Sequence, residues 1–588
     1  MTFLRELLAV ILGFFISFFI MFIVLIAIGS VVGSSFADDD KTTVKTNSVL
    51  VLKLEDQIKD YAPKSSDPFE EIFNMSDSKM GLNDMINAIE NAKYDDNILG
   101  ISIETMNINA GIAQTQALRD KLFDFKESGK FITAYADVYD QKNYYLSSVA
   151  DSIYVNPVGG IDFKGLSSEI LYFKDFQDKY GIKMEVIRHG KYKSAVEPFL
   201  ANKMSDSNRE QTQSFMSSIW SELVEDIGES RNKTDKEINF IADELLARNP
   251  TLAIENNMIT NELYKDQYEE VINKLSGLED VKKINSISLS DYISSGKGRL
   301  KSTSKNRIAV IYAQGEIKYG KGDEKYIGQK LIIKALKKAR KDSKVKAIVL
   351  RVNSPGGSAL ASDIIWRELE LTKKEKPLVV SMGNLAASGG YYISCNANKI
   401  IAEPTTITGS IGVFGAVPNA SELAGRMGIN AEQIGTNKQS VGYSVFEPIT
   451  DSFYNVTKEG VEHIYNTFVE KVAAGRNMSF AQVDSIAQGR VWTGKEAVKN
   501  GLVDELGNLD DAIAAAAKLA EVDDYKVRNF PSYKKDFKDM FKGPFASVKE
   551  SILKGEIGLE NYGIYKRLKQ ISEIEGMQTR LPFLLEIK

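Results

Sequence analysis

An internal repeat limits the fold of this 588-residue chain more than any other feature of its sequence. Ile101 aligns with Ile348, and at this offset of 247 residues the two halves align without a gap over about 100 positions. The offset also pairs Tyr144 with Tyr391, Tyr145 with Tyr392, Ser147 with Ser394, Ile153 with Ile400, Pro157 with Pro404 and Gly165 with Gly412. We therefore expect two diverged copies of one fold, residues 46–290 and 307–530, joined by a polar linker at 291–306.

Each copy alternates short apolar runs with charged or amphipathic stretches that suit helices. In the second copy the apolar runs are IAVIYAQG (308–315), AIVLRVN (347–353) and PLVVSMG (377–383). Such alternation is typical of an α/β fold with largely parallel strands. Ligand sites in these folds lie where strands end and helices begin.

The first 40 residues are expected to anchor the chain in a membrane. Residues 7–28 are almost wholly apolar, and a bilayer-spanning helix needs about 20 such residues, so we predict a span over about residues 7–29. Arg5 precedes this run and Asp38, Asp39 and Asp40 follow it, which places the N-terminus in the cytoplasm and the rest of the chain outside the inner membrane. The alternative is a signal peptide cleaved near Ala37.

Composition argues against several classes of function. A net charge of −5 with scattered Lys and Arg residues gives no basic surface for nucleic acid. The single cysteine, Cys395, excludes an intrachain disulfide and a Cys-based zinc site. Only His189 and His463 could serve a Ser–His or Cys–His mechanism, so other bases must be considered. Cys395 as nucleophile is a weak alternative, because it lies in an apolar run without a nearby histidine.

Two features of the second copy lie where strands are expected to end. Ser388, in NLAASGGYYIS (384–394), would sit near a helix N-terminus that favours a developing anion, or it is simply a helix cap. Gly356 and Gly357, in NSPGGS (353–358), can turn backbone N–H groups toward an oxyanion, or they form a plain strand-to-helix turn.

The repeat favours the functional interpretation of these residues. Ser388 aligns with Gln141, and Gly356 and Gly357 align with Asn109 and Ala110, although the landmarks of the fold persist in both copies. If the serine and the glycines served only the fold, both copies would need them. The second copy is therefore expected to have a function that the first copy lacks.

The first copy has its own candidate, Lys193, in the segment HGKYKSAVEPF (189–199). Its counterpart in the second copy is Ser440, which has no amine. A lysine acts as a general base only when it is neutral, and burial can lower its pKa by several units. A base near neutral pH is what acyl transfer needs. The alternative is an ordinary exposed lysine.

With these motifs the sequence resembles the signal peptide peptidase A family, also called protease IV, in its long two-domain form. The resemblance implies that Lys193 is the general base, that Ser388 is the nucleophile and that Ser410, in TGSIGVFG (408–415), hydrogen-bonds the lysine. The segment RVNSPGGS matches the oxyanion loop of the family, which implies the N–H of Gly357 next to Gly356, with help from Gly389. His189 and Lys191 beside it depart from the residue types expected there.

The resemblance covers about residues 1–530 and continues weakly to RLPF (580–583). It implies a tandem repeat of two Clp-protease/crotonase-like domains, the first supplying the lysine and the second the serine. It also implies a homo-oligomer, commonly a tetramer, on the bacterial inner membrane, with a periplasmic catalytic body that degrades signal peptide remnants and other short or unfolded chains without cofactor or metal. The C-terminal extension, residues 531–588, is expected to pack and assist assembly.

Two other classes of function are weighed against this one. A crotonase-type acyl-CoA enzyme would share the glycine-rich loop, but it needs neither a membrane anchor nor a serine with a partnering lysine. A non-catalytic membrane scaffold derived from a protease would have no reason to retain Ser388, Lys193 and the two glycines of the turn together.

Overall fold

The computed structural model describes residues 12–21, 23–24, 43–62, 80–277, 285–533 and 577–580. Its strands are β1 Ser48–Leu52, β2 Ile98–Ile103, β3 Phe131–Ala136, β4 Ser152–Val155, β5 Lys183–His189, β6 Asn261–Glu262, β7 Asn285–Ser288, β8 Arg307–Gln314, β9 Glu316–Lys318, β10 Tyr326–Gly328, β11 Val345–Ser354, β12 Gly356–Ser358, β13 Leu378–Ala387, β14 Lys399–Ala402, β15 Ile407–Gly409, β16 Val413–Asn419, β17 Val491–Thr493, β18 Glu505–Leu506, β19 Lys526–Phe530 and β20 Gln578–Arg580.

The α-helices between these strands are α1 Leu82–Lys93, α2 Ile112–Phe125, α3 Gln141–Ser147, α4 Lys174–Tyr180, α5 Glu197–Leu200, α6 Asp206–Arg231, α7 Asp235–Asp243, α8 Pro250–Glu255, α9 Lys265–Leu275, α10 Leu289–Tyr292, α11 Gln329–Lys341, α12 Ala359–Lys373, α13 Gly389–Tyr392, α14 Ser421–Arg426, α15 Asp451–Arg476, α16 Phe480–Ile486, α17 Gly494–Lys499 and α18 Leu509–Leu519. Residues 12–21 and 23–24 are also helical.

Two sheets carry the repeat, the first parallel and the second parallel except for its antiparallel edge strand β17. The first sheet has the order β6-β4-β3-β2-β1-β7, and the second has β17-β15-β13-β11-β8-β19, with β14 beside β13 and β18 beside β14. The strand pairs β2 and β11, β3 and β13, and β4 and β14 each begin 247 residues apart, as do the helices α2 and α12. The tandem α/β fold expected from the sequence is therefore confirmed.

Burial and capping explain why these segments form strands and helices. Strands β8, β11 and β13 are buried along most of their length, as expected for parallel strands covered on both faces. The longest helices, α6 and α15, each have 26 residues and begin after a hydroxyl cap, Ser205 or Thr450. Both end at an asparagine in the left-handed conformation, Asn232 or Asn477.

A third sheet mixes the two copies, in the order β10-β9-β12-β20-β16-β5. Strand β5 belongs to the first copy and pairs antiparallel with β16 of the second copy over seven residue pairs, from His189 opposite Val413 to Lys183 opposite Asn419. Strand β20, from the end of the chain, lies between β12 and β16. This sheet brings a segment of the first copy to the edge of the second.

Buried polar contacts also join the copies. The Arg351 guanidinium donates to Asp60 over 3.0 Å, and both side chains are 1% exposed. The side chain of Gln114, on α2, donates to the same carboxylate over 2.7 Å, and its backbone N–H donates to the Asn384 side chain over 3.0 Å. Ala387 packs in the apolar core of the first sheet, so the two copies share a core.

In the described part of the chain, no helix is long and apolar enough to cross a membrane. The predicted span, residues 7–29, lies partly outside the described residues, which cover only 12–21 and 23–24 of it. Of the C-terminal extension, residues 531–533 and 577–580 are described.

Candidate active site

One lysine from the first copy meets two serines from the second. The Lys193 Nζ atom lies 2.9 Å from Ser388 Oγ, 3.0 Å from Ser410 Oγ and 3.1 Å from the Ser410 carbonyl oxygen. Strands β13 and β15 pair with Ala387 opposite Gly409, so the two serines leave neighbouring strand ends together. The pairing of β5 with β16 brings Lys193, four residues beyond β5, to the same place.

Burial governs the electrostatics of this cluster. Lys193, Ser388 and Ser410 are all 0% exposed. Burial lowers the pKa of Lys193 well below 10.5, because the charged ammonium loses its hydration there. The three oxygens around Nζ belong to hydroxyl and carbonyl groups, which carry no charge to offset that loss. A neutral amine can donate both its N–H groups to Ser410 and direct its lone pair at the Ser388 hydroxyl.

The loop that carries Lys193 is fixed by its backbone. The Tyr192 N–H donates to the Gln488 carbonyl over 2.9 Å, and the Gly489 N–H donates to the Ile411 carbonyl over 2.8 Å. A Cβ on Gly489 would lie within 2.7–2.8 Å of the backbone and Cβ of Lys193, so only glycine allows this approach. Residues 488–489 thus hold the lysine loop against the segment that follows Ser410.

Helix α6 holds the same loop from the other side through Gln211. Its buried amide donates to the Tyr192 carbonyl over 3.1 Å and to Ser194 Oγ over 2.9 Å, the two residues that flank Lys193. Its amide oxygen accepts the Val491 N–H over 3.4 Å. One glutamine therefore spans the lysine loop and strand β17.

Ser388 lies at a sharp turn between β13 and α13. Its φ of 56° and ψ of −113° are unusual for a residue with a side chain, and such strain is typical of functional positions. Its N–H donates to the Gly409 carbonyl over 2.7 Å. Its side chain makes no capping bond to α13, so the interpretation of Ser388 as a simple helix cap is wrong.

The predicted oxyanion loop forms strand β12, which contacts α13. Gly356 and Gly357 have φ values of 95° and 150°, and a Cβ on Gly357 would lie 2.1 Å from the Ile317 carbonyl oxygen. The Gly356 N–H donates to Ser354 Oγ over 3.1 Å. Gly389 follows Ser388 as the first residue of α13. The conformation requires glycine at both positions of β12, and the oxyanion role of Gly357 and Gly389 stays a prediction.

In the first copy, other side chains occupy the corresponding site. Gln141, the counterpart of Ser388, accepts the N–H groups of Lys164 and Gly165 over 3.1 and 2.9 Å. Lys142, the counterpart of Gly389, donates to the carbonyl of Ala110 over 2.8 Å. Ala110 is itself the counterpart of Gly357. Thus, in the first copy, the Gln141 amide and the Lys142 amine bind the loops whose counterparts in the second copy lie around Ser388.

The remaining sequence candidates make other contacts. His189 stacks on Tyr465 at 3.7 Å between ring centroids, and its Nδ1 lies 2.7 Å from a Glu462 carboxylate oxygen. Cys395 is fully buried, and burial raises the pKa of its thiol to about 12, so it would be a poor nucleophile.

A surface depression of about 300 Å³, lined by Lys376, Pro377 and their neighbours, lies at the amino end of β13, opposite to Ser388.

Sequence reasoning missed Gln211, Gly489 and the strand β20. Gln211 stands in a long helical stretch where many polar residues look alike, so the sequence offers no signal for it. The glycine in AQGRVW (487–492) follows a short helix, which marks a turn but not a contact with a lysine almost 300 residues earlier. The weak resemblance at RLPF was the one signal near β20.

Comparison with known proteins gives consistent matches. The model of peptidase family S49 matches residues 124–281, which contain Lys193, and residues 370–523, which contain Ser388. "Protease 4" of Haemophilus influenzae is 38% identical over 463 residues, which cover 77% of this chain and 75% of that protein. "Serine protease SPPA, chloroplastic" of Arabidopsis thaliana is 31% identical over 548 residues, which cover 92% of this chain and 78% of that protein.

Among solved structures, a ClpP1 mutant from Listeria monocytogenes is similar to part of the fold. The similarity covers 35% of this chain and 94% of that chain, with 16% sequence identity and a TM-score of 0.24. At this level it does not bear on the chemistry of the site.

Proposed function

Since the chain belongs to peptidase family S49 and is a serine protease, we propose that it cleaves peptide bonds with Ser388 as nucleophile and Lys193 as general base. The resemblance seen in the sequence is confirmed by this membership, which also argues against the crotonase-type and non-catalytic alternatives. The observation that carries the proposal is the 2.9 Å contact between Lys193 Nζ and Ser388 Oγ in a fully buried site.

In the proposed mechanism the neutral Lys193 amine takes the hydroxyl proton while Ser388 Oγ attacks the scissile carbonyl. Backbone N–H groups of the turn at Gly357 and of Gly389 stabilise the oxyanion. The ammonium then gives its proton to the leaving amine, and an acyl-enzyme remains. Water, deprotonated by the same lysine, hydrolyses the ester and regenerates Ser388. Ser410 orients the amine through its hydroxyl and its carbonyl.

The proposed substrates are signal peptide remnants and other short or unfolded chains, cleaved by an endopeptidase. The names of the relatives, a "Protease 4" and a "Serine protease SPPA", support proteolysis, and the resemblance seen in the sequence supports this class of substrate. The apolar run at residues 7–28 supports an anchor in the bacterial inner membrane, with the N-terminus in the cytoplasm and the catalytic body in the periplasm. A homotetramer is part of the proposal, and size-exclusion chromatography with light scattering would test it.

We further propose that the division of labour follows the domains expected from the sequence. Residues 46–290 supply the base, residues 307–530 supply the nucleophile and oxyanion loop, and residues 291–306 join them. The contacts of Lys193 with Ser388 and Ser410 occur within a single chain, which supports a site at the junction of two copies.

Two substitutions test the proposed pair on an unstructured fluorogenic peptide. Ser388→Ala and Lys193→Met should each lower kcat/KM by at least about 10³-fold. Lys191→Met, at an exposed lysine two residues away, and Ser394→Ala, at a buried serine of the same segment, are the matched controls and should retain most of the activity. Substantial activity in either dyad variant would contradict the proposal.

A further inference from the structure

Tyr465, in the middle of helix α15, is a buried tyrosine to which the proposed mechanism gives no part. Its side chain is 1% exposed. Burial and the neighbouring Asp484 carboxylate raise the pKa of Tyr465 above its usual value of 10, so the hydroxyl keeps its proton and donates it to Asp484. The lone pairs of the hydroxyl oxygen are then available to accept hydrogen bonds from other groups.

The Tyr465 hydroxyl accepts hydrogen bonds from Gln488, a residue in an unusual conformation. Gln488 has a φ of 52°, in the left-handed region that residues with a side chain rarely adopt. Its side-chain amide donates to Tyr465 Oη over 3.1 Å and to Asp484 over 2.6 Å, and its backbone N–H donates to the same hydroxyl over 3.4 Å. Such a conformation persists only where surrounding contacts fix it, and Tyr465 supplies two of these contacts.

Gln488 in turn contacts the loop that leads to Lys193. Its carbonyl oxygen accepts the Tyr192 N–H over 2.9 Å. A Cβ on Gly190 would lie 2.5 Å from the same oxygen, so the backbone of the loop passes directly over it. The Tyr465 hydroxyl therefore reaches the residue before Lys193 through a single intermediate.

The ring of Tyr465 contacts the other end of the same loop. His189, the last residue of β5, stacks on it with 3.7 Å between ring centroids and 24° between ring planes. The His189 Nδ1 atom lies 2.7 Å from a carboxylate oxygen of Glu462, one turn earlier on α15, which orients the imidazole. The loop is thus contacted at its start by an aromatic stack and at its end by the Gln488 carbonyl.

We propose that Tyr465 is a positioning residue for the general base, which clamps both ends of the loop leading to Lys193 and so holds the amine at hydrogen-bonding distance from Ser388. This inference rests on the proposed function, because the role exists only if Lys193 takes the proton of Ser388. Proton transfer needs the two groups held to within about 0.5 Å of the productive geometry. A looser loop therefore slows acylation more than it weakens the binding of a peptide.

Tyr465→Phe, in the full-length protein, removes the hydroxyl and keeps the ring that stacks on His189. On the unstructured fluorogenic peptide we expect kcat to fall about tenfold at neutral pH, with little change in KM. A looser loop admits water to the Lys193 amine, whose pKa then moves up toward 10.5, so the apparent pKa in the pH dependence of kcat/KM should rise. A variant that is merely less stable would leave this apparent pKa in place.

Tyr144→Phe is the matched control. Tyr144 is fully buried in the first copy, and its hydroxyl donates to the Met258 carbonyl over 2.8 Å. This variant also loses a buried hydrogen bond, yet it should keep the wild-type kcat and apparent pKa. His189→Ala should lower kcat about as much as Tyr465→Phe, whereas His189→Phe, which keeps an aromatic face for the stack, should retain most of it.

Two outcomes would overturn the inference. One is an unchanged kcat and apparent pKa in Tyr465→Phe, and the other is an equal kcat in His189→Ala and His189→Phe. In both cases Ser388→Ala would still be inactive, so the proposed function would stand. Failure of the proposed function is distinct, because hydrolysis would then persist in Ser388→Ala.

Discussion

At the scale of single residues, the most informative group is the Lys193 amine, which is buried among uncharged oxygens. Comparison of the two repeats could single out Ser388 and Lys193, because each is present in one copy and replaced in the other. It could not give their separation, since that depends on contacts between segments almost 200 residues apart. Gly489, which packs against the backbone of Lys193, was missed for the same reason, because a contact between distant residues leaves no pattern in the sequence around either of them.

The pKa of Lys193 has consequences for both activity and stability. Burial holds the native pKa well below 10.5, so the unfolded chain binds a proton that the native chain releases. The native state therefore loses stability as the pH falls from 10.5 through the native pKa of Lys193. Lys193→Met should abolish hydrolysis yet raise the free energy of unfolding at pH 7, by on the order of 1–2 kcal/mol.

Urea unfolding at pH 7 and near pH 10.5 would measure this difference, which should shrink at the higher pH. In the wild type, kcat/KM should rise with pH through an apparent pKa well below 10.5. A stability difference of the same size at both pH values would argue against a neutral lysine in the native state.

Gly489 offers a sharper test of how the base is positioned. In Gly489→Ala the new methyl group would contact the Lys193 backbone at 2.7–2.8 Å, and we expect kcat/KM to fall about tenfold to 100-fold. Gly501→Ala is the matched control, because Gly501 has nearly the same φ, 82° against 81°, and its nearest neighbour would be Met478 Sδ at 3.9 Å. Both variants store similar backbone strain, so equal loss of activity would mean that strain alone matters.

At the scale of elements, β5 shows that a local sequence pattern does not by itself predict a strand. The segments Gly181-Ile182-x-x-Glu185-x-Ile187 and Gly428-Ile429-x-x-Glu432-x-Ile434 match in the repeat alignment, yet only the first forms a strand. A strand needs a partner, and β5 has one in β16. Strands β8, β11 and β13 were predictable, because burial along most of their length leaves continuous apolar runs in the sequence.

Helix α6 illustrates how an element can position a distant group. Gln211→Leu removes the amide that bonds Tyr192, Ser194 and Val491, and leaves their buried polar groups without this partner. We expect a loss of about 1–3 kcal/mol in unfolding free energy and a fall in kcat of about tenfold. Gln213→Leu, at an exposed position of the same helix, should change neither value measurably. Thermal unfolding and peptide hydrolysis would show whether the two substitutions differ.

At the scale of the whole molecule, the two copies depend on each other. The lysine comes from one and the serine from the other, and the third sheet contains strands of both. The amino-acid sequence predicted that the two copies act together, because the first copy lacks the serine and the second copy lacks the lysine. It did not predict the joint sheet or the buried ion pair, because neither has a counterpart in the repeat.

The ion pair between Asp60 and Arg351 should be a main support of this association. Asp60→Ala would leave the Arg351 guanidinium buried without its carboxylate, at a cost of about 3–5 kcal/mol in unfolding free energy. Asp56→Ala, at an exposed aspartate four residues earlier, should cost no more than about 0.5 kcal/mol. Denaturant titration of both variants would test the difference, and equal midpoints would show that the pair contributes little.

The contacts of Gln141 and Lys142 in the first copy bear on stoichiometry. An enzyme built from two copies of one fold could have two equivalent active sites. In this chain, however, the Gln141 amide and the Lys142 amine bind the loops of the first copy where a second active site would lie. Each 65.3 kDa chain should then react with one equivalent of a serine-directed acylating reagent, whatever the number of chains in an assembly. One reacting hydroxyl per chain would then be served by both copies, since the first supplies Lys193 and the second Ser388.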